Sequence, residues 1–267
     1  MAGRLLASLT RRFFGSPLTT QGMNAQQDPL TGVVLAAGFG SRLAGTSDET
    51  RLKPLTPVAG VPLIGRTLRS LEVAGCSRIV VVVGHGGDEV EAAARSVHDG
   101  RAELVIAQND RYDLANGVSV LAAQDHVGDR FLLTMADHVF SDDVMRLAGS
   151  HQPPENGATL LVDYDVPGVF DLDDATKVLS RGDRIAAIGK QIPDYDCIDT
   201  GLFVCTPALM DALAAVYEAR GDASLSDGIQ HLSDAGRMTI LDIGDGFWQD
   251  VDTPEMLAEA ERRLASR

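Results

Sequence analysis

Short apolar runs alternate with longer amphipathic segments in the first half of this chain, and this alternation restricts its fold more than any other feature. Runs rich in Val, Leu and Ile predict strands at residues 31–36, 78–83, 103–107 and 130–134. Apolar residues at helical spacing predict helices between them, at residues 62–75, 87–97 and 117–127. Strands joined through helices pair in parallel, because a parallel neighbour needs a long crossover connection. We therefore predict an α/β fold with a doubly wound, mixed but mostly parallel, Rossmann-like sheet. Its ligands should bind beyond the carboxyl ends of the strands.

The second half of the sequence has a different pattern of predicted elements, with shorter strands and more turns. The pattern predicts strands at residues 158–163, 176–180, 184–188, 198–205, 237–243 and 246–251. It predicts helices at residues 207–219, 225–235 and 254–265. No linker or internal repeat interrupts residues 31–267. We therefore predict a single domain whose second half faces the substrate.

Composition and charge exclude several classes of protein. The 267 residues are 45% apolar, enough to fill a sizeable core, and carry a formal net charge of −15. We expect no nucleic-acid partner, because binding to phosphate backbones needs clustered Lys and Arg. The three cysteines form no C-x-x-C pair, which argues against a zinc site or disulfide framework and favours a reducing, cytoplasmic setting. No apolar run approaches the roughly 20 residues that span a bilayer, so we expect no stable membrane insertion.

Residues 1–30 differ from the rest of the chain and predict a basic N-terminal extension outside the domain. This stretch contains three arginines, several Ser and Thr residues, and Asp28 as its single acid. Three interpretations stay open: a transit-type targeting segment, a short disordered basic tail, and a start placed upstream of Met23.

The stretch LAAGFGSRL, residues 35–43, directly follows the first apolar run and therefore lies at the ligand edge of the predicted sheet. Gly38 and Gly40 allow the backbone to approach a ligand closely, and successive exposed N–H groups in such a loop form an anion-binding nest. Arg42 adds a fork of donors, and Lys53 can bring a second cation to the same place. The stretch matches neither the P-loop nor the dinucleotide fingerprint. For the glycines alone, a tight turn without a ligand stays an alternative.

Longer sequence stretches connect this loop to a known family. LAAGFGSRL followed by KPLTPVAGVPLIGRTL resembles the amino-terminal signature of the nucleotidylyltransferases, which join an NTP to a sugar phosphate or related phosphate. Ser41 stands where Thr is usual, and Leu52 replaces a common proline.

The chain looks like the cytidylyltransferases that make CDP-inositol from CTP and inositol 1-phosphate over nearly all of residues 31–266. The stretches that carry this resemblance include DRFLLTMADHVFSDDVM, DATKVLSRGDRIAAIGKQIPDYDCIDTGLFVC and FWQDVDTPEMLAEAERRL. NDRYDLANGVSVLAA is also similar to phosphocholine and phosphonate cytidylyltransferases. The resemblance implies a nucleotidyltransferase fold and cytidylyl transfer.

Two carboxylates are candidates for a magnesium site. Asp137 ends the strand RFLLTMAD at the ligand edge, and Asp252 follows another short strand. Mg²⁺ prefers oxygen ligands and keeps further positions for water and phosphate oxygens. The resemblance assigns Mg²⁺ to Asp137 and Asp252. The neighbouring Asp250 could substitute for or assist Asp252, and we rank it lower. For His138 we prefer a structural or metal-orienting role over that of a base.

The expected reaction is attack by a phosphate oxygen of the acceptor on the α-phosphorus of CTP, with pyrophosphate leaving. A phosphate monoester is mostly ionised at neutral pH, so the reaction needs no side-chain base. Catalysis then depends on positioning and charge neutralisation. We assign the catalytic roles to Arg42, Lys53, Asp137 and Asp252.

The residues predicted to contact the substrates lie mostly in loops after strands, and the family resemblance supports their assignment. Backbone and amide groups suit the base and ribose of CTP. The predicted nucleotide-binding residues are Leu35, Ala36, Ala37, Gly38, Gly40, Ser41, Gln108, Asn109, Asn116, Gly117 and Ser119. An ordinary turn before a helix stays an alternative for Asn116 and Gly117. The predicted acceptor-binding residues are Lys177, Lys190, Asp199 and Thr200.

Other functions stay open at this point. The enzymatic alternatives are a cytidylyltransferase for phosphocholine or a phosphonate, and a sugar-1-phosphate nucleotidylyltransferase that uses another NTP. A catalytically silent nucleotide-sensing homologue is a different class, and the joint presence of Arg42, Lys53, Asp137 and Asp252 argues against it. The CDP-alcohol products of the resembled family usually feed a membrane phosphotransferase, which we expect as a separate downstream partner. A homo-oligomer is compatible with the sequence, which does not fix the oligomeric state.

Overall fold

The computed structural model describes residues 29–38 and 52–265. Most of the predicted basic extension, and the loop that carries Gly40, Ser41 and Arg42, lie outside the described residues.

The elements of the first half follow the predicted alternation. In chain order they are β1 (Thr31–Ala36), β2 (Pro57–Val58), β3 (Val61–Pro62), α1 (Leu63–Val73), β4 (Arg78–Val83), α2 (Gly87–Val97), β5 (Glu103–Gln108), α3 (Asn116–Leu121) and β6 (Phe131–Met135). Short 3₁₀ turns cover Lys53–Leu55 and Gln124–His126. Helix α3 is shorter than the predicted 117–127, because its backbone hydrogen bonds tighten to the three-residue spacing of a 3₁₀ turn at Ala123.

The second half begins after Asp137. Its elements are β7 (His138–Phe140), α4 (Asp142–Ser150), β8 (Ala158–Asp163), β9 (Lys177–Arg181), β10 (Arg184–Gly189), β11 (Cys197–Cys205), α5 (Ala208–Arg220), α6 (Leu225–Asp234), β12 (Met238–Asp242), β13 (Trp248–Asp250) and α7 (Pro254–Ala265). A further 3₁₀ turn covers Val166–Gly168. The sequence analysis did not predict β7 or α4, although Ser141 followed by two acids is a helix-start signal.

Within the described residues, nine strands form one mixed sheet in the order β5-β4-β1-β6-β11-β8-β12-β10-β9. The pairs β5–β4, β4–β1, β1–β6 and β12–β8 are parallel, and the remaining pairs are antiparallel. The predicted α/β class and mixed sheet are confirmed. The fraction of strand pairs that are parallel is smaller than predicted, because the long strand β11 lies in the middle of the sheet and is antiparallel to both β6 and β8.

Helices cover both faces of this sheet, as the doubly wound prediction requires. On one face, α1, α2 and α4 bury residues such as Ile64, Val90 and Met145 against the strands. On the other face, α3, α5 and α6 do the same with residues such as Val120 and Leu213. Strand β4 is apolar after its first residue, Arg78, because it is buried on both faces from Ile79 to Val83. None of the helices in the described part of the chain has the length and apolar character needed to cross a membrane.

Candidate active site

The parallel strands β1 and β6 define the edge at which the candidate site lies. Their register pairs Leu35 with Met135, so both strands reach their carboxyl ends at the same level. The N–H of Ala136 donates to the carbonyl of Leu35 at 3.0 Å, which continues the pairing by one residue. Ala37 and Gly38 therefore emerge beside Asp137, as the strand pattern predicts.

A small two-stranded sheet brings Asp252 to Asp137. Strand β7 begins directly after Asp137 and pairs antiparallel with β13, with His138 opposite Asp250. The N–H of Val251 then donates to the carbonyl of Asp137 at 2.9 Å. This pairing joins two segments that are far apart in the sequence. It places the two predicted metal ligands in one cluster.

Lys53 lies between the two carboxylates. Its Nζ is 2.5 Å from Oδ2 of Asp137 and also contacts Oδ1 of Asp252. The three side chains are 14%, 24% and 16% exposed, so solvent screens this cluster only in part. Pro54, the second residue of the 3₁₀ turn that begins at Lys53, is buried and fixes the base of the lysine. The cluster is thus built to hold positive charge between two carboxylates.

His138 forms the other side of Asp137. Its Nδ1 lies 2.5 Å from Oδ1 of Asp137, and its ring stacks against Phe140 and Trp248 at centroid distances of 6.0 and 6.3 Å. Burial opposes ionisation of Asp137, but His138 and Lys53 outweigh it and hold the pKa of this carboxyl well below its usual range. Burial also disfavours the charged imidazole, yet Asp137 raises the pKa of His138 above its ordinary value. Asp137 is therefore a carboxylate at neutral pH.

A cavity of about 240 Å³ opens on the first-half side of this cluster. Its lining includes six of the predicted nucleotide-binding residues: Leu35, Ala36, Ala37, Gly38, Asn116 and Ser119. Lys53 and Asp137 lie at its inner end. The sequence analysis missed further lining residues, namely Pro54, Tyr112, Leu114, Met135 and Ala136. The sequence does contain a signal for Tyr112 and Leu114, because they are the large side chains of the loop before the predicted turn at Asn116.

Three other predicted nucleotide contacts lie behind or beside this cavity. Asn109 is buried and donates from Nδ2 to Oγ of Ser119 at 2.9 Å, so it positions a lining residue. Gly117 packs α3 against the segment before α6, where a Cβ atom would come within 2.5 Å of the carbonyl oxygen of Ala223. Gln108 is exposed and lines a separate depression beside Gly86 and Gly87.

A second cavity, of about 390 Å³, opens on the other side of Lys53. Its lining brings together Lys53, Asp252, Lys190 and Asp199 from the predicted set. It also includes Met135, His138, Val169, Asp171, Asp174, Ala175, Thr176, Gly201, Trp248 and Asp250, which the sequence analysis did not assign to the acceptor. Nζ of Lys190 pairs with Oδ1 of Asp174 at 2.7 Å. The cavity thus combines a ring of carboxylates with two lysines.

Lys177 and Thr200 do not line this second cavity. Lys177 is 8% exposed, and its Nζ donates to the carbonyl of Asp173 at 3.1 Å. Thr200 is fully buried and donates from Oγ1 to the carbonyl of Leu161 at 2.8 Å. Both side chains support the strands and the acidic segment that form the cavity wall.

Asp199 sits at an irregularity of β11 and faces the cavity. Its Oδ1 accepts a hydrogen bond from the N–H of Gly201 at 2.7 Å. Burial raises the pKa of Asp199 to about 6, which the Gly201 N–H and the nearby His138 only partly counter. Gly201 has a φ of +73°, and a Cβ atom there would meet Nε2 of His138 at 2.5 Å. Glycine is therefore required for this strand to pass so close to His138.

Comparison with known proteins decides the family. Residues 32–235 match the MobA-like NTP transferase domain family. This range contains all the lining residues of the first cavity and Asp137, and it ends before Trp248, Asp250 and Asp252 of the second cavity. The chain belongs to this family. It is a nucleotidyltransferase, and both cavities of its NTP transferase domain open beyond strand ends, the edge at which open α/β sheets bind ligands.

Among curated relatives, the NTP transferase domain is similar to a protein named bifunctional IPC transferase and DIPP synthase. The protein of that name from Archaeoglobus fulgidus is 33% identical over 234 residues, which cover 88% of this chain and 44% of the relative. The one from Rubrobacter xylanophilus is 37% identical over 238 residues, covering 86% of this chain and 51% of the relative. The chain therefore spans about half the length of these relatives.

Among solved structures, the domain matches the inositol-1-phosphate CTP transferase from T. maritima. The TM-score is 0.75 and the identity 26%, with coverage of 87% of this chain and 96% of the other. The resemblance drawn from the sequence is thereby confirmed at the level of both fold and family.

Proposed function

We propose that this domain transfers the cytidylyl group of CTP to inositol 1-phosphate, in a Mg²⁺-dependent reaction that gives CDP-inositol and pyrophosphate. The observation that carries the proposal is the position of the Asp137–Lys53–Asp252 cluster. Lys53 lines both cavities, Asp137 lines the first and Asp252 the second. A donor nucleotide in one cavity and an acceptor phosphate in the other would meet at this cluster.

Asp137 and Asp252 fit a Mg²⁺ ion. They offer hard carboxylate oxygens, Asp137 stays ionised at neutral pH, and a cationic group already lies between them. Enzymes that transfer nucleotidyl groups generally use a divalent metal. Bound there, Mg²⁺ would neutralise charge on the phosphate groups of CTP.

The protein side chains supply positioning and charge. An ionised oxygen of the acceptor phosphate forms the new bond to the α-phosphorus of CTP, and the bond from that phosphorus to the bridging oxygen breaks, releasing pyrophosphate. Lys53 neutralises charge that accumulates on the phosphoryl oxygens in the transition state. His138 holds Asp137 in one orientation through its 2.5 Å contact and takes no proton from the substrate.

The first cavity suits a pyrimidine nucleotide. Its wall combines backbone groups at Ala36, Ala37 and Gly38 with polar side chains at Asn116 and Ser119. Amide and backbone groups can pair with the O2, N3 and amino groups of cytosine. The T. maritima protein, whose name specifies CTP, supports the choice of cytosine over other bases.

The second cavity suits a phosphorylated polyol. Its lining includes Asp171, Asp174, Asp199 and Asp250, whose oxygens accept hydrogen bonds from hydroxyl groups. The lysines at its two sides can neutralise the phosphate. The name of the T. maritima protein specifies inositol 1-phosphate as acceptor, and this polyol fits the lining.

The test is a turnover assay that detects CDP-inositol by mass spectrometry and pyrophosphate by a coupled enzyme. We expect turnover with CTP, inositol 1-phosphate and Mg²⁺, a loss of at least about 10²-fold in Asp137→Asn, and no change in Asp142→Asn. Asp142 is a matched control because it is exposed on α4 and pairs with Arg146. Turnover only with UTP or dTTP and hexose 1-phosphates would overturn the choice of nucleotide and acceptor. CTP binding without turnover on any phosphate monoester would overturn the proposed reaction itself.

A further inference from the structure

A second group of ligand-type side chains lies away from both cavities. One donor atom each from Glu72, His98 and Asp99 lies within 4.8 Å of the other two. Glu72 belongs to the last turn of α1, His98 directly follows α2, and Asp99 begins the connection to β5. Helix α1 leads into β4 and α2 into β5, so these helix ends lie at the amino edge of the sheet. The length of β4, six residues or roughly 20 Å, separates the group from the catalytic edge.

Glu72 contributes one carboxylate oxygen without a hydrogen-bond partner to this group. Its side chain is 9% exposed, and its Oε1 is fully buried without a hydrogen-bond partner. Burial raises the pKa of Glu72, and the neighbouring Asp99 raises it further through its charge and through a side-chain hydrogen bond with Glu72, which together outweigh the lowering by His98 and Arg101. A buried oxygen left without a partner costs free energy that a bound cation would recover.

His98 presents a lone pair to this orphaned oxygen. Its Nε2 lies 2.8 Å from the carbonyl oxygen of Ala102, which can only accept, so Nε2 carries the proton. In the neutral ring Nδ1 is then unprotonated, and it lies 3.8 Å from Oε1 of Glu72. That separation is too long for a direct hydrogen bond. A histidine whose far nitrogen donates to a backbone carbonyl has the orientation that metal-binding histidines generally have.

We propose that Glu72, His98 and Asp99 bind a Zn²⁺ ion. One imidazole nitrogen and two carboxylates suit zinc, whereas Mg²⁺ and Ca²⁺ prefer sites built from oxygen alone. Ligand atoms of a tetrahedral zinc ion are about 3.4 Å apart, so Nδ1 of His98 and Oε1 of Glu72 need to close by only a few tenths of an ångström. Asp99 is exposed, which leaves an entry path and a fourth position for water.

Zinc binding by Asp99 competes with one surface ion pair. Oδ2 of Asp99 lies 2.9 Å from Nε of Arg101, whose side chain is 73% exposed. An exposed pair of this kind contributes little, so zinc displaces it at small cost. The bound ion joins the ends of α1 and α2 to the connection before β5, and it therefore stabilises the fold without taking part in catalysis.

The experiment titrates the full-length protein with Co²⁺, as a spectroscopic substitute for zinc, in excess Mg²⁺ that occupies the catalytic carboxylates. We expect the visible absorption of tetrahedral Co²⁺ in the wild type, its loss in His98→Gln, and its retention in His231→Gln. His231 is a matched control because it is an exposed histidine on α6. Zn²⁺ at about 100 times its Kd should raise the Tm of the wild type by about 5–10 °C, and a chelator should reverse the rise.

Two further variants guard against a folding defect in His98→Gln. Asp99→Asn changes only an exposed side chain, and we expect it to weaken Co²⁺ binding by about 10–100-fold. Glu72→Gln should abolish the zinc-dependent rise in Tm. An unchanged Co²⁺ spectrum in His98→Gln and Asp99→Asn would place the ion elsewhere and overturn the proposal. So would a wild type with neither the absorption nor the rise in Tm, since Glu72 would then be buried as a neutral acid.

Discussion

Nζ of Lys53 lies 2.5 Å from Oδ2 of Asp137, and the same ammonium group contacts Asp252. The positive charge of the lysine thus occupies the space between the two carboxylates that would hold the metal. Under the proposed function, lysine and metal would share this space during the reaction. The lysine would then have two opposing effects, since it would compete with the free metal and neutralise charge in the transition state.

We expect Lys53→Met to bind Mn²⁺, a probe for Mg²⁺, roughly tenfold more tightly than the wild type in the absence of nucleotide, because the competing unit charge is gone. The same variant should lose about 10²–10³-fold in kcat. Calorimetry and turnover assays measure the two effects. Lys190→Met is the matched control, because Lys190 lines only the second cavity and pairs with Asp174. It should leave Mn²⁺ affinity unchanged and raise the KM for the acceptor. Weaker Mn²⁺ binding in Lys53→Met would contradict the competition.

His138→Gln should lose stability in a pH-dependent way. The pKa of His138 is raised in the folded protein, so its charged form stabilises the fold below the unfolded value of 6.5 and this contribution is lost as the pH rises through the folded pKa. The stability difference between wild type and His138→Gln should be largest below about pH 6.5 and should shrink above it. Urea denaturation over a pH series measures this difference, with His126→Gln as control. A stability difference that grows with rising pH would show that Asp137 does not favour the charged form of His138 in the folded protein.

Asp199→Asn should raise the stability of the fold at neutral pH and weaken acceptor binding. Because burial raises the pKa of Asp199 to about 6, the folded protein binds a proton more tightly than the unfolded chain, and stability falls as the pH rises from 3.8 towards 6. The asparagine variant keeps an oxygen for the Gly201 N–H and avoids this loss, which amounts to at most about 3 kcal/mol. It should be more stable than the wild type at neutral pH and should have a KM for inositol 1-phosphate about tenfold higher. An unchanged KM would remove Asp199 from the acceptor site.

Gly201→Ala should impair both stability and turnover. The substitution strains a residue at φ +73° and drives a Cβ atom to within 2.5 Å of His138. Gly221→Ala is the matched control, because Gly221 has φ +74° and open space around the added carbon. Each variant should lose about 1 kcal/mol through backbone strain, and Gly201→Ala should lose a further 1–3 kcal/mol, roughly, through the clash. Thermal unfolding and kcat measure the effects. Equal losses in the two variants would show that the close approach to His138 does not matter.

The sequence predicts much of this site because strand ends are easy to recognise. A run of buried apolar residues followed by a polar one locates Asp137 and the loop after Leu35 at one edge of the sheet. The grouping of Asp137, Lys53 and Asp252 follows from their shared edge and from the family resemblance. The positions of Gly40, Ser41 and Arg42 lie outside the described residues, and their roles stay predictions.

Other parts of the site depend on packing that a local pattern does not reveal. Strand β7 has three residues, and its partner β13 is more than a hundred residues away, so neither periodicity nor length shows their pairing. Lys177 is predicted to bind the acceptor, yet it is buried and its Nζ donates to the backbone carbonyl of Asp173 in the acidic segment before it. The acidic run that contains Asp171 and Asp174 is compatible in the sequence with a solvated loop or with a flap over the acceptor, and in the structure these two carboxylates line the second cavity.

The pairing of β7 with β13 also sets the order in which the protein can become active. Both cavities take most of their walls from residues before 205, but Asp252 arrives only with the segment around β13 and α7. A chain emerging from the ribosome can therefore build the first cavity before both of the carboxylates proposed to hold the metal are present. Under the proposed function, the catalytic cluster is consequently complete only when β13 has docked beside His138.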